Sequence, residues 1–363
     1  MRIAVDAREM TGRPTGVGRY LSEILYAWSR LPDAEAHEFI LCAPGPLECS
    51  LNGLSMTRLI EPGHGTIWEQ WTLPRLVTRA GANVLFAPAY TAPLRCQVPV
   101  VLTIHDVSFA AHPEWFPWRE GLRRRTLSRM SARRAARVIT DSEFSKHEIA
   151  SRLGVDRSRI DVIYLGASSP PLPASREPIV LYAGSIFNRR HLPVLIEGFA
   201  RLASRHPETR LEIVGDNRTY PHLDLDRTIA ASGASDRIRM RQYLPDADLS
   251  SLHARASAFV FLSEYEGFGL TPLEAMAAGV PVVVLDTEVA REIYGPAAEY
   301  VERPDPALVA SALDRVLVDH AVRTRLADAA AKQIQRYSWR ACARRTLEVL
   351  LLASGGRESL RNP

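Results

Sequence analysis

Short runs of Val, Ile, Leu and Phe alternate with longer amphipathic stretches along almost the whole chain. This is the pattern of parallel strands covered on both faces by helices. In the first half the apolar runs predict strands at 2–6, 37–42, 83–86, 99–104, 137–140 and 160–164. The second half repeats the scheme at 179–184, 210–214, 238–241, 258–262 and 281–285. Between the halves, Ser168 to Pro178 is too rich in proline to be helical and reads as an interdomain linker. Two helical segments, roughly 306–334 and 338–353, close the chain. The expected architecture is therefore α/β, with one Rossmann-like, doubly wound domain over 1–170 and a second over 177–340. The helix and tail at 338–363 are expected to pack back toward the first domain. In such folds ligands bind beyond the carboxyl ends of the strands, and two such domains facing each other define a cleft.

Size agrees with this division, since 363 residues exceed what one core usually organises. No run approaches the ~20 apolar residues that would span a bilayer. The first residues read as a strand (Arg2 to Asp6) rather than as a leader, and Cys42, Cys49, Cys96 and Cys342 show no metal-ligand or redox spacing. Both features lead to a cytoplasmic expectation. Net charge is mildly positive at +4, and almost all the basic character is arginine, because Lys146 and Lys332 are the only lysines. Arginines concentrate between Arg119 and Arg137, interleaved with Leu122, Leu127 and Met130. A basic amphipathic helix of this kind suits an anionic membrane surface, a solvated face or an anionic acceptor. No nucleic-acid-binding module accompanies the charge.

The densest chemistry lies at 263–283, Ser-Glu-Tyr-Glu-Gly-Phe-Gly-Leu-Thr-Pro-Leu-Glu-Ala-Met-Ala-Ala-Gly-Val-Pro-Val-Val. A buried strand runs into a glycine turn, a short helix and a second buried strand. Gly267 and Gly269 let the backbone approach a ligand, and the helix behind them presents N–H groups that suit a diphosphate. Glu266 and Glu274 bracket the turn and suit sugar hydroxyls. A structural alternative also fits, because Thr271-Pro272-Leu273-Glu274 reads as a capping box. Three further strand ends carry candidate groups. His105 and Asp106 follow the strand at 99–104, where Asp106 orients His105 or caps the next turn. Arg189 and Arg190 follow Gly184, as a pair of phosphate-binding forks or as solvated surface arginines. Gly215 ends another strand, and Tyr243 follows the next. Asp224-x-Asp226 and Asp246-x-Asp248 lie at helix starts, where capping explains them better than metal binding.

The 263–283 segment resembles the signature of the retaining glycosyltransferases of family GT4, in which two glutamates are separated by seven residues. The resemblance covers nearly the whole chain and implies the GT-B architecture. It further implies a nucleotide-diphospho-sugar donor, a glycan or lipid-linked acceptor, no cofactor and no catalytic metal. By this resemblance Glu266, His105, Arg189 and Arg190 carry the chemistry. Gly184, Gly215, Tyr243, Gly267, Phe268, Gly269, Leu270 and Glu274 bind the donor, and the Gly16–Gly18 loop sits across the cleft from its diphosphate. Two departures stand out: Arg190 replaces the commoner lysine, and Ser185 stands where many members carry another arginine. The runs from Thr103 to Ser108 and from His112 to Pro117 resemble mannosyl- and rhamnosyltransferase-like members, which implies GDP-mannose or a similar donor in surface-polysaccharide assembly. It also implies a place at the inner face of the cell membrane. A sugar-nucleotide epimerase of the same fold, or a non-catalytic nucleotide- or glycan-binding protein, stays open at this point.

Overall fold

Each strand expected from the apolar runs forms, within two residues at either end, in the computed structural model, which describes residues 1–12, 16–47, 53–167 and 175–355. The chain divides into two compact units. The first comprises Met1–Pro113, Trp118–Gly166 and the chain from Tyr337 onward; the second comprises Glu114–Pro117 and Ala167–Arg336.

The first unit is built on a seven-stranded parallel sheet. Its strands are β1 (Arg2–Asp6), β2 (Glu38–Ala43), β3 (Met56–Ile60), β4 (Val84–Ala87), β5 (Val100–Thr103), β6 (Arg137–Thr140) and β7 (Ile160–Val162), in the order β3-β2-β1-β4-β5-β6-β7. Ile3 pairs with Phe39 on one side and Val84 on the other. Helix Gly16–Trp28 buries Leu21, Ile24, Leu25 and Trp28, the stripe its spacing predicts. Trp28 stacks on Phe39 at 4.8 Å and donates its indole N–H to Ala343 O at 2.8 Å. Ala343 belongs to helix Trp339–Ala353, so the end of the chain completes the core of the first unit.

The second unit has six parallel strands: β8 (Ile179–Ala183), β9 (Arg210–Val214), β10 (Ile238–Arg241), β11 (Ala258–Phe261), β12 (Val282–Leu285) and β13 (Ala298–Val301). Their order is β10-β9-β8-β11-β12-β13. Strand order reverses between β1 and β4 in the first unit and between β8 and β11 in the second. These are the topological switch points, and the loops leaving β8 and β11 flank the second one.

Several local expectations change. Strands β3 and β13 escape the apolar pattern because both are edge strands carrying exposed or half-buried polar positions. The segment expected as one helix at 306–334 is two helices, Pro306–Val318 and His320–Gln333. Asp319 leaves helical geometry between them, and its carboxylate accepts from the N–H groups of Ala321 and Val322, capping the second. Asp224 caps helix Leu225–Ala231 as expected. Asp246 does not stand at the N-cap position, which Pro245 holds, but opens helix Asp246–Arg255. Much of the proline-rich linker (168–174), residues 13–15 of the first glycine loop, Cys49 and the tail from 356 lie outside the described residues.

Candidate functional site

Beyond β8 the chain turns through Gly184 and Ser185 into the short helical turn Asn188–Arg190, then helix Leu192–Ala203. Beyond β11 it passes through Ser263–Gly269 into helix Leu270–Ala277. These two loops flank the switch point and are laced together. Glu264 N donates to Arg189 O at 3.0 Å, and Arg189 Nε donates to Tyr265 O at 3.1 Å. His191 Nε2 lies 3.2 Å from Glu264 Oε2.

At the centre is an ion pair. Arg190 places Nε 2.9 Å and Nη2 2.7 Å from Glu266 Oε1, and Ser263 Oγ donates to the same oxygen at 2.8 Å. Nη1 of Arg190 donates to Ser185 O, and the guanidinium lies 4.6 Å from the Phe261 ring centroid. Burial by itself would discourage the Arg190 charge. The Glu266 carboxylate more than offsets it, so the guanidinium's pKa is raised. Oε1 of Glu266 is saturated by three donors, whereas Oε2 accepts none of them.

Arg189 is buried too, 8% exposed, with its guanidinium 4.4 Å from the Phe187 ring centroid. Among the described residues no carboxylate pairs with it. A buried cation without a counter-charge suits an anionic ligand. The solvated-arginine alternative therefore fails for both residues of the pair.

The glycine turn forms with one shift of register. Gly269 is the N-cap, at φ 88°, and the helix begins at Leu270. Thr271 is then the second helical residue and Glu274 the fifth, so the capping-box alternative for Glu274 also fails. Glu274 is buried, as is Phe268. The first turn has no side-chain cap, which leaves the usual anion-binding geometry of a helix N-terminus. Tyr294 Oη donates to Gly269 O at 2.8 Å, and a Cβ at position 269 would lie 1.9 Å from that hydroxyl. Sequence reasoning missed this clamp, which arrives from helix Glu288–Tyr294. Close approach also fixes Gly215, where a Cβ would lie 2.0 Å from Gly184 O. Tyr243 follows β10 and is exposed.

In the first unit, Gly16 and Gly18 are not a loop: Gly16 opens helix Gly16–Trp28 and Gly18 is buried within it. His105 follows β5 and binds through both ring nitrogens, Nδ1 lying 2.7 Å from Asp141 Oδ2 and Nε2 3.1 Å from Pro88 O. Both partners are acceptors, so the doubly protonated ring satisfies them together. Burial opposes that charge, but Asp141 outweighs it through charge and hydrogen bond, and the His105 pKa is raised. His105 thereby ties the ends of β4, β5 and β6, and neither nitrogen is left for a proton shuttle in this arrangement. Asp106 is not its partner. Asp106 caps the next turn through Ser108 N at 2.8 Å and accepts from Tyr90 Oη at 3.2 Å. The sequence signal for Asp141 was an acid at the next strand's carboxyl end.

A pH dependence follows from the His105–Asp141 pair. The folded pKa of His105 lies above the unfolded value near 6.5. The pair's stabilisation is therefore complete below about pH 6.5 and is lost as pH rises through the folded pKa. Melting temperatures of the wild type should fall across that window. In Asp141→Asn the melting temperature should be lower below it and the downward slope should vanish or reverse, because burial without Asp141 disfavours the His105 charge; an unchanged slope would remove His105 as its source.

Two families of known proteins match consecutive parts of the chain. The profile described as Glycosyltransferase Family 4 matches residues 14–168, and Glycosyl transferases group 1 matches 168–333. O-antigen chain mannosyltransferase B of Escherichia coli is 29% identical over 287 residues, covering 74% of each chain. A GDP-mannose:cellobiosyl-diphosphopolyprenol alpha-mannosyltransferase of Xanthomonas campestris is 31% identical over 203 residues, 54% of this chain and 52% of its own. Among solved structures, HepE of Anabaena in complex with UDP and glucose superposes with a TM-score of 0.72 at 20% identity. That match covers 96% of this chain and 98% of HepE, and it shows a shared fold.

Proposed function

We infer that this chain, consecutive parts of which match the Glycosyltransferase Family 4 and Glycosyl transferases group 1 models, moves a sugar from a nucleotide-diphospho-sugar to a glycan or lipid-linked acceptor, without a metal. The observation that carries the reading is the buried Arg189–Arg190 pair, locked to the Glu266 loop at the switch point of the second unit. As the sugar–phosphate bond breaks, negative charge grows on the diphosphate. Arg189, Arg190 and the amides at the start of helix Leu270–Ala277 stabilise that charge more than they stabilise the bound donor. Arginine forks supply this stabilisation where other transferases use a divalent ion.

Glu266 has two jobs in this reading. Its Oε1 holds Arg190, and its Oε2 accepts from hydroxyls of the donor sugar. Glu274 takes the ribose hydroxyls. The acceptor oxygen attacks the anomeric carbon on the face the diphosphate leaves, the phosphate oxygen takes the acceptor proton, and configuration is retained. His105 serves as a charged brace for three strand ends of the first unit. Mannosyltransferases among the relatives favour GDP-mannose as donor, and the polyprenol-linked substrate named for one of them favours a lipid-linked acceptor at the inner membrane face.

The test is product analysis with GDP-mannose and a polyprenyl-diphosphate-linked glycan, with EDTA present. A mannosylated acceptor with α configuration is expected. Epimerised nucleotide sugar formed without acceptor would replace this reading with an epimerase, and donor binding without any product would replace it with a binding protein.

A further inference from the structure

The stretch Glu114–Pro117 is set apart from the chain around it. Residues up to Pro113 and from Trp118 to Gly166 belong to the first unit, whereas these four pack with the second. Pro113 and Pro117 bracket Glu114, Trp115 and Phe116 and restrict the backbone there, and Pro113–Trp115 form a short 3-10 turn. Trp115 is half-buried and is the only tryptophan of the second unit. The other five, Trp28, Trp68, Trp71, Trp118 and Trp339, all belong to the first.

Within the second unit Trp115 stands beside the buried cation of the donor loops. The Arg189 guanidinium lies 4.4 Å from the Phe187 ring centroid and 5.7 Å from the Trp115 ring centroid, within cation–π range of both. Trp115 also meets the Tyr265 ring edge to face, with centroids 6.2 Å apart and planes at 75°. Tyr265 is buried, and its carbonyl accepts from Arg189 Nε at 3.1 Å. The indole is therefore in contact with both residues of that hydrogen bond. A ring face attracts a cation without neutralising it. A carboxylate in the same place would compete with an anionic ligand for the guanidinium; an indole leaves its charge available.

We propose that Trp115 is a positioning residue for the donor: it fixes the Arg189 guanidinium against the Tyr265 loop, so that the diphosphate meets a cation already in place. An arginine held in one conformation loses little freedom when a ligand arrives, whereas a loose one has to be ordered by the ligand itself. The proposal rests on Arg189 as a ligand of the donor diphosphate and names the group that holds it there.

The experiment measures the affinity of GDP, or of whichever of UDP, ADP and dTDP the wild type binds tightest, in variants at position 115. Trp115→Leu keeps apolar bulk but has no ring, and its affinity should fall about two- to tenfold. Trp115→Phe keeps a ring face and should recover part of the loss. In an Arg189→Ala background Trp115→Leu should weaken binding no further, because its effect runs through Arg189; a merely structural role would weaken binding in both backgrounds. Wild type labelled with 5-fluorotryptophan gives a readout that needs no variant to fold. The nucleotide should shift at least one of its fluorine resonances, the one that Trp115→Phe lacks. Unchanged affinity in Trp115→Leu, an equal loss in the Arg189→Ala background, or no fluorine resonance moved by the nucleotide would each overturn the proposal. Wild type that binds none of the four nucleotides would sink the function reading together with it. Binding that Trp115→Leu leaves intact would sink the positioning role alone.

Discussion

Arg190→Ala is expected to lower turnover by about 10²–10³-fold and, separately, to destabilise the fold by about 3–5 kcal/mol. The two effects have different origins. Turnover falls because a preorganised donor aimed at the leaving diphosphate is gone. Stability falls because Glu266 is left buried without its cation, only 15% of its side chain being exposed. Glu266→Ala exposes the same coupling from the other side. A double-mutant cycle on thermal stability should therefore be strongly non-additive: Arg190→Ala with Glu266→Ala should cost clearly less than the two single costs summed. Turnover should not recover in the double variant. Arg190→Lys keeps a point charge but loses the fork that spans Glu266 and Ser185 O, so it should restore part of the rate and less of the stability. Additive stabilities would show that the pair is incidental. Near-wild-type turnover of Arg190→Ala would remove Arg190 from the chemistry.

The second large effect lies at the turn itself. Gly269→Ala should destabilise the protein by about 2–5 kcal/mol, combining the cost of an L-residue in the left-handed region with overpacking. The conformation is at φ 88°, and the new methyl would fall 1.9 Å from Tyr294 Oη. The part due to overlap can be separated from the part due to backbone strain. Tyr294→Phe removes the hydroxyl, so adding it to Gly269→Ala should recover a portion of the loss measured by denaturant unfolding. By itself Tyr294→Phe should loosen the turn and weaken donor binding more than it lowers stability, because the hydroxyl's bonds go to the carbonyls of Gly269 and Phe268. If Gly269→Ala melts like the wild type, the turn does not have this geometry.

The site was legible in the sequence where its parts are contiguous. The apolar runs placed β8 and β11, and the glycines and carboxylates following them fell on the loops that flank the switch point. What sequence spacing could not supply was pairing across loops. Arg190 and Glu266 lie 76 positions apart and suit different parts of the donor, the diphosphate and the sugar hydroxyls, yet Arg190 donates to Glu266 Oε1. For Asp106 the sequence left open orienting His105 or capping the next turn; it caps, and the partner of His105 is Asp141, 36 positions on. The reason is geometric, because adjacent parallel strands bring their carboxyl ends together while consecutive residues leaving one strand diverge. Register at helix starts was also hidden. A Thr-Pro-x-Glu run has the composition of a capping box, but the left-handed Gly269 starts the helix two residues earlier.

The most direct measurement is calorimetric titration of GDP, with UDP, ADP and dTDP as comparisons, into the wild type and Arg190→Ala in EDTA. We expect one saturable site on the wild type and an affinity at least about tenfold weaker in Arg190→Ala, consistent with the loss of a charge-assisted bond. Absence of binding by all four nucleotides, or the same affinity in both proteins, would contradict a donor diphosphate held by the Arg189–Arg190 pair.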